Sequence, residues 1–408
     1  MKILILTQYF PPEVGAPQNR LYELAVRLRR NGADVTILTA MPNYPQMEIH
    51  AAYKNKKYHF EEMDGLSVHR SSIYVSKSKG IAKRLLNYFS FVFSSLWTGT
   101  FRLGKFDLIL CESPPLFLGI TAYLLKKFKG AKLIFNVSDL WPESAEKLGL
   151  VTNKFFLRIA TWLEEFLYRK SDLISGQTQG ICKNISSRFP DKKVYWLPNG
   201  VDLSYYDSAK APADWRQKMN FSKDDFLLLY AGIIGHAQGL EVIISAAEQL
   251  RQYPAIKFLL LGSGPEKEKL MAMKEQKKLD NVIFLDAVTK KEMPAIVYAA
   301  DAAVIPLKRL DLFKGAIPSK IFENLAMRKP ILLGVEGEAK ELFIDEGGAG
   351  LAFIPEDGND LAAKTVSLYN NKEELKKMGE SGYLYVEKKF TRDRIAAQFW
   401  DFLQQNIN

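Results

Sequence analysis

Short apolar runs alternate with longer stretches whose apolar residues recur every three to four positions, and the alternation continues through most of the chain. Runs of this length between turn residues read as buried strands, and the intervening period reads as amphipathic helix. In the first half, strands are predicted at Lys2 to Thr7, Asp34 to Ala40, Phe106 to Cys111, Lys132 to Val137 and Asp172 to Ser175, with a helix at Leu21 to Arg30. After LPNGVD, Leu197 to Asp202, the pattern restarts. Further strands are predicted at Phe226 to Ala231, Lys257 to Leu261, Val282 to Leu285, Ala302 to Pro306 and Ile331 to Gly334. Strands alternating with helices make a parallel sheet covered on both faces. The expected fold class is therefore α/β, with two Rossmann-like domains, 1–196 and 197–390, facing across a cleft that holds ligands at the carboxyl ends of both sheets.

Composition narrows this picture. A chain of 408 residues that is 47% hydrophobic fills two cores. Its net charge of +10 is lopsided: residues 1–200 hold 28 basic and 16 acidic residues, a net of +12, against 28 and 30, a net of −2, for the rest. Nucleic acid, an anionic membrane or an acidic substrate would each suit the basic half, but no nucleic-acid motif accompanies it. Two cysteines, Cys111 and Cys182, encode neither a disulfide framework nor a zinc site, which suits a reducing, cytoplasmic compartment. The run before Pro11 and Pro12 is too short for a signal-peptide core and reads as a first strand.

Dinucleotide chemistry is disfavoured. Gly15 lacks GxGxxG companions, Gly232, Gly235 and Gly239 have the wrong spacing, GSGPEK breaks at Lys267, and the second strand ends in Thr39, Ala40 and Met41 with no ribose-binding acid. No Asp-x-Asp occurs to hold a metal diphosphate, so neither metal nor cofactor is expected.

The stretch GAIPSKIFENLA, Gly315 to Ala326, carries the sharpest chemistry. Ile321, Phe322, Leu325 and Ala326 share one helical side, which leaves Ser319, Lys320 and Glu323 elsewhere. Ser319 as the cap of a capping box would need an acid or amide at Phe322, so that structural reading fails. A surface Lys320–Glu323 pair is worth only about 0.3 kcal/mol. A nucleotide sugar fits better: helix-entry amides and Lys320 attract the diphosphate, and Glu323 accepts from the ribose diol. Lys308 and Arg309 add charge after their strand or are simply solvated. Two strand-to-helix loops, PPEVGAPQNR and AGIIGHAQGL, bring Gly15, Gly232 and Gly235 to positions suited to phosphate. Asn19 and Arg20 follow the first loop as acceptor or leaving-group contacts. His236 lies in the second, on the donor side or in solvent. Backbone around Asp286 to Val288 is a candidate reader of the base. In SDLWPES, Trp141 could stack on a sugar and Asp139 accept from its hydroxyls or from the attacking one, unless Ser138 or Asp139 caps a helix starting near Pro142.

As an ordered set, LTQYFPPEVGAPQNRLYELA, SDLWPES, LPNGVD, YAGIIGHAQGLE, LLLGSGPE, VIPL and IPSKIFENLA resemble the retaining glycosyltransferases of family 4, group 1, with the two-domain B-type fold. The nearest likeness is to the WbuB-like fucosamine-transferase subgroup. The resemblance covers nearly the whole chain. It implies a UDP-sugar donor bound by the second domain, a lipid-linked saccharide acceptor bound by the first, and a C-terminal helix at about 391–408 crossing back to the first. It implies no dependable carboxylate nucleophile, and so same-face attack by the acceptor hydroxyl. Departures accompany it. The first of the family's two acidic positions is Gly315, the second Glu323; its glycine-loop Arg and Lys are Ile233 and Gln238; its first-domain histidine is Ser138. Lys320 is the residue placed to supply the missing charge. Those losses also fit a non-catalytic sugar-nucleotide-binding subunit, and the architecture would also suit a sugar-nucleotide epimerase.

Residues 85–101 carry no charge, and Leu85, Phe89, Phe93, Trp97 and Phe101 recur every fourth position beside a stripe of Asn87, Ser90, Ser94 and Thr98. Lys77, Lys79, Lys83 and Arg84 precede them, and Arg102 and Lys105 follow. The stretch is too short and too polar to span a bilayer. A core helix and an interfacial helix beside anionic lipid both fit, the latter placing the protein peripherally at the inner face of the membrane.

Overall fold

The computed structural model describes all residues except Val14, Pro45, Lys79 and Asn408, and the side chains of Ala16 and Ile81. The chain divides into two compact units, Met1–Asn199 joined by the residues from Arg392 onward, and Gly200–Thr391.

In the first unit, strands β1 (Lys2–Leu6), β2 (Asp34–Ala40), β3 (Tyr58–Met63), β4 (Leu66–Ser71), β5 (Leu108–Ser113), β6 (Lys132–Val137), β7 (Leu173–Gly176) and β8 (Val194–Trp196) form one sheet of order β3-β4-β2-β1-β5-β6-β7-β8. All neighbours are parallel except β3, which pairs antiparallel with β4. The β3–β4 hairpin is not apparent from hydrophobic runs, because β3 is half exposed and β4 contains the fully buried Arg70. Its turn is Asp64-Gly65, both at positive φ, as a tight hairpin requires. Arg70 is tolerated inside because Glu61 takes its Nε at 2.5 Å and the carbonyls of Ala40 and Pro11 accept from its nitrogens.

Helices α1 (Ala16–Arg30), α2 (Ile81–Phe101), α3 (Leu118–Lys129), α4 (Glu143–Lys147), α5 (Lys154–Lys170) and α6 (Gln179–Arg188) connect these strands. Helix α1 starts five residues before its apolar period because Pro17 in its first turn needs no amide partner. One sheet face buries Leu21, Leu24 and Leu28 of α1 with Ile395, Phe399 and Leu403 of the C-terminal helix. The opposite face buries α2, α3, α5 and α6 residues, including Phe91, Leu125, Leu167 and Ile185. Buried Glu13 accepts from the amides of Phe10, Asn43 and Tyr44 at 3.2, 2.7 and 2.8 Å, which ties the loop after β1 to that after β2.

Helix α2 is built inside out. Asn87, Ser94 and Thr98 point inward and bond to Tyr74 O, Ser72 O and Ser71 Oγ, while Phe93, Trp97 and Phe101 are 68%, 64% and 67% exposed. The core-helix expectation holds for the fully buried Phe91 and Val92 and the half-buried Leu85 and Phe89, and fails for the outward stripe of Phe93, Trp97 and Phe101. No helix among the described residues is long and apolar enough to cross a membrane. Of the flanking basic residues, Lys79 lies outside the described residues.

The second unit is a six-stranded, wholly parallel sheet of order β11-β10-β9-β12-β13-β14, made of β9 (Phe226–Ala231), β10 (Ile256–Leu261), β11 (Val282–Leu285), β12 (Ala302–Pro306), β13 (Ile331–Gly334) and β14 (Gly350–Ala352). Its helices are α7 (Trp215–Lys218), α8 (Glu241–Gln249), α9 (Lys267–Lys277), α10 (Met293–Ala299), α11 (Lys320–Ala326), α12 (Glu338–Lys340), α13 (Gly358–Asn370) and α14 (Lys372–Lys389), and α15 (Arg392–Ile407) is the helix of the first unit. There α15 packs on α1 with ion pairs Arg27–Asp393 at 2.9 Å and Arg392–Glu23 at 2.6 Å.

The loops after β9 and β10 press backbone to backbone: Gly232 N donates to Leu261 O at 2.9 Å and Ile234 N to Ser263 O at 2.9 Å. A Cβ on Gly262, whose φ is +145°, would lie 1.9 Å from Gly232 O. Gly262→Ala should therefore destabilise the second unit by about 3 kcal/mol, whereas Gly104→Ala, where a Cβ meets nothing, should be neutral. Urea titration read by hydrogen exchange in β9 and β10 tests this, and equal stability of the two variants would contradict it.

Candidate functional site

Parallel strands send their connecting loops to one edge of each sheet, so the predicted residues gather at two edges, one per unit. In the second unit, β9 ends in the buried Tyr230 and passes into the loop of Gly232 to Gly239, while Ser319, Lys320 and Glu323 begin α11 after β12. Lys320 Nζ lies 3.8 Å from the Tyr230 ring centroid and would be 3.0 Å from a Cβ on Gly232. Gly232, at φ +143°, is thus favoured by conformation, and a Cβ there would also crowd the ammonium, which would have to shift slightly. The Tyr230 hydroxyl donates to Ile233 O at 2.5 Å, which fixes the ring under the loop. Burial raises the Tyr230 phenol well above its usual range, so it stays a neutral platform.

Burial also pushes Lys320 down to about 7, against the opposing pull of the Glu323 charge. Sequence reasoning treats Lys320 as a permanent cation; its surroundings in the fold bring it within reach of titration near neutral pH. Ser319 precedes α11 without a side-chain cap bond, and the helix has only seven residues, too few for its dipole to rival the ammonium.

Around this centre, Gly235 is buried, and His236 begins a 3-10 turn with Nδ1 2.8 Å from Glu266 Oε1. Ile233, where the resemblance expects a cationic position, is exposed. Asp286 and Val288 follow β11, and Asp286 is held by Lys267, whose Nζ also reaches Gly262 O and Leu285 O at 3.1 and 3.3 Å. Lys267 depresses the Asp286 carboxyl. The Lys308 amide bonds Ala237 O at 3.0 Å, while Arg309 pairs with Glu336 at 3.3 Å, which removes it as a free cation.

In the first unit, β1, β5 and β6 are neighbours, so the loops after them converge. Gly15 is extended, and what it provides is room: a Cβ would lie 2.3 Å from Gln18 Oε1. Arg20 is buried rather than offered outward, its Nη2 bonding Glu112 Oε1 at 2.5 Å and Ser138 Oγ at 2.8 Å. Glu112 also takes the Asn136 amide at 2.5 Å and the Ser138 hydroxyl at 2.5 Å. Ser138, where the resemblance expects a histidine, thus lies against the Arg20 guanidinium. Arg20 Nη1 and Gln18 Oε1 are buried with no partner. Asn19 is half-buried, and its carbonyl accepts from Arg392 at 3.2 Å.

Asp139 follows β6. Burial raises its carboxyl, while hydrogen bonds from Ser144 Oγ at 2.8 Å and the Leu140 amide oppose the shift. It caps no helix: α4 starts after Pro142 without a side-chain cap. Trp141 sits edge-on to Phe117 and Phe156 at 5.6 and 6.1 Å, which holds its ring rigidly. Glu112, Tyr230 and Lys267 are the site-edge residues missed in sequence. Each lies inside or next to a run whose apolar or glycine character masks it, and the terminal position of Glu112 and Tyr230 on a parallel strand was the available signal.

Comparison with known proteins agrees with this architecture. Residues 15–200 match the glycosyl transferase 4-like domain, and residues 213–385 match the family of glycosyl transferases group 1. A relative assigned to colanic acid biosynthesis as a glycosyl transferase, WcaI of Escherichia coli (strain K12), is 30% identical over 334 residues, 80% of this chain and 81% of that protein. Among solved structures, sucrose-phosphate synthase from Thermosynechococcus elongatus superposes with a TM-score of 0.77 at 17% identity over 99% of this chain and 98% of that one. HepE of Anabaena in complex with UDP and glucose does so at 0.72 and 17%, over 99% and 100%.

Because the folded Lys320 titrates near 7 and the unfolded one near 10.5, its charging opposes folding fully below pH 7, and the penalty fades between the two values. Lys320→Met should therefore stabilise the ligand-free protein by about 1–2 kcal/mol at acid pH, with the gain shrinking as pH rises. Chemical denaturation of both proteins across that range measures it; a gain that grows with pH would reverse the assignment.

Proposed function

The chain belongs to the glycosyl transferases of group 1, and on that premise we propose that it moves a sugar, with retention, from a UDP donor to a lipid-linked saccharide in bacterial capsule, O-antigen or exopolysaccharide synthesis. We take the sugar to be an N-acetylated deoxyhexose such as N-acetyl-fucosamine, in line with the subgroup likeness of the sequence motifs. UDP as donor is supported by the complex of HepE, and polysaccharide assembly by the role assigned to WcaI.

One observation supports the donor assignment: the half-buried Lys320 ammonium sits over the Tyr230 ring beside Gly232, where a diphosphate would favour its charged form. Lys320 would neutralise the leaving diphosphate as the anomeric bond breaks. Glu323 would accept from the ribose diol, with Ser319, Gly232, Gly235 and His236 lining the donor and the backbone of Asp286 to Val288 reading the base. On the acceptor side, Gly15 and Asn19 would border the incoming saccharide and Trp141 would stack on it. Arg20 would act from behind, as the fixed partner of Glu112. Asp139, whose raised carboxyl makes it the stronger base, would accept the hydrogen of the attacking hydroxyl as the anomeric bond to the diphosphate breaks, and with no dependable carboxylate nucleophile the hydroxyl would attack from the leaving-group face. No metal is proposed.

The acceptor's lipid fixes where the enzyme works. The aromatic stripe of α2, turned outward beside the basic first half of the chain, supports peripheral attachment to the anionic inner face of the membrane.

Calorimetry in EDTA should show Lys320→Ala and Glu323→Gln each weakening UDP binding by about 10–100-fold with the fold intact. Unchanged affinity in both would remove the assignment, and thermal stabilisation by a panel of nucleotide sugars would then identify the donor. Above pH 7, UDP binding should take up a proton at Lys320, so the binding enthalpy should vary with the ionisation enthalpy of the buffer. That dependence should vanish in Lys320→Ala; its persistence there would assign the proton elsewhere.

A further inference from the structure

At the opposite sheet edge of the first unit, where β6 and β7 begin, lies a cavity of about 410 Å³. Six cations line it, Lys126, Lys127, Lys132, Arg169, Lys170 and Lys192, against one carboxylate, Asp172. Two of the six are committed to the fold. Lys126 pairs with Asp172 at 2.7 Å and donates to Lys170 O, and Lys192 donates to Arg169 O and Ser171 O at 2.7 and 2.8 Å, which closes the carboxyl end of α5. Arg169 pairs with Glu165 at 2.7 Å. That leaves Lys127, Lys132 and Lys170, which among the described residues meet no carboxylate. Like charges this close in a concave site lower the free energy of any anion that enters. Consistent with that, the charges of Lys126 and Lys170 add to burial in holding the Lys192 ammonium below its usual range.

An apolar surface leads into this cavity. Phe155, Ile159 and Trp162 are exposed along α5; Trp162 stacks on Phe166 at 5.6 Å, Phe166 meets Tyr123 edge-on at 5.1 Å, and Tyr123 lines the cavity beneath Lys127. Phe128 is exposed next to Lys127, and α3 packs between α2, which bears Phe93, Trp97 and Phe101, and α5. A ligand that suits both parts has a negatively charged phosphate and a hydrocarbon body. Strand β6 separates the cavity from the Asp139 edge by roughly 17 Å at about 3.3 Å per residue, so an occupant here cannot be the reacting end of the acceptor.

We propose that this cavity is a seat for the phosphate of an anionic membrane phospholipid, with the α2–α3–α5 aromatic face resting in the acyl boundary. The inference rests on the membrane reading above and adds a defined headgroup site to it. Cosedimentation with phosphatidylcholine vesicles, with and without phosphatidylglycerol, tests both on the full chain. Three proteins are compared: the parent, Lys127→Gln/Lys132→Gln/Lys170→Gln, and a control of equal charge, Lys372→Gln/Lys376→Gln/Lys377→Gln, at exposed positions of the second unit. The parent should bind only the anionic vesicles. The cavity variant should lose about 100-fold in partitioning and the control less than about 3-fold, while UDP still stabilises all three. Equal losses in cavity variant and control, or none in either, would overturn the headgroup site and leave the membrane reading standing. Failure of the parent to bind anionic vesicles would overturn both. Displacement of the parent by millimolar inorganic phosphate would assign the cavity to free phosphate and overturn the lipid.

Discussion

A primary amine set over the face of Tyr230 and partly screened from water is the constraint around which this corner of the second unit is arranged. An ammonium in that position is favoured by an aromatic platform and a neighbour without a side chain. Tyr230, Gly232 and the loop fastened above the ring by the Tyr230 hydroxyl meet those needs. The close approach of that loop to the next one in turn excludes a side chain from Gly262 and Gly264. Four separate features of the sequence therefore have one physical origin. A lysine whose charging is opposed by its surroundings weakens the fold, a cost of the kind proteins keep where function uses it.

The first unit solves a different problem. Arg20 and Glu112 form a buried pair to which Ser138 and Asn136 add hydrogen bonds, which lowers the desolvation cost of two charges, while Arg20 Nη1 finds no partner among the described residues. The pair pins the start of α1 to the ends of β5 and β6, so the loop carrying Gly15 and the turn carrying Asp139 and Trp141 have a fixed relation. A histidine at residue 138 would compete with Arg20 for that space, so the small Ser138 and the inward turn of Arg20 go together.

Polarity inverts on the outer helices of this unit. Ser, Thr and Asn side chains of α2 reach in to bond the Ser71 hydroxyl and the carbonyls of Ser72 and Tyr74, and the aromatic stripe is left outside. Water is a poor solvent for three consecutive turns of exposed Phe and Trp, whereas a headgroup–acyl boundary is a good one. The clustering of unmatched lysines at the ends of α3 and α5 belongs to the same surface.

The sequence by itself determined the α/β class, most strand positions and the sharing of one short helix by Lys320 and Glu323, because apolar runs and helical periods are local properties. It left β3 and β4 unread, since a half-exposed strand and a buried arginine break the apolar pattern. Only the tertiary structure decided which way Arg20 faces, which stripe of α2 is buried, and that Lys320 sits near neutrality. Each of those depends on groups distant in the chain, Glu112 for Arg20, Ser72 and Tyr74 for α2, and Tyr230 for Lys320. Burial and pairing are properties of an environment, and the environment exists only once the strands that supply it lie side by side.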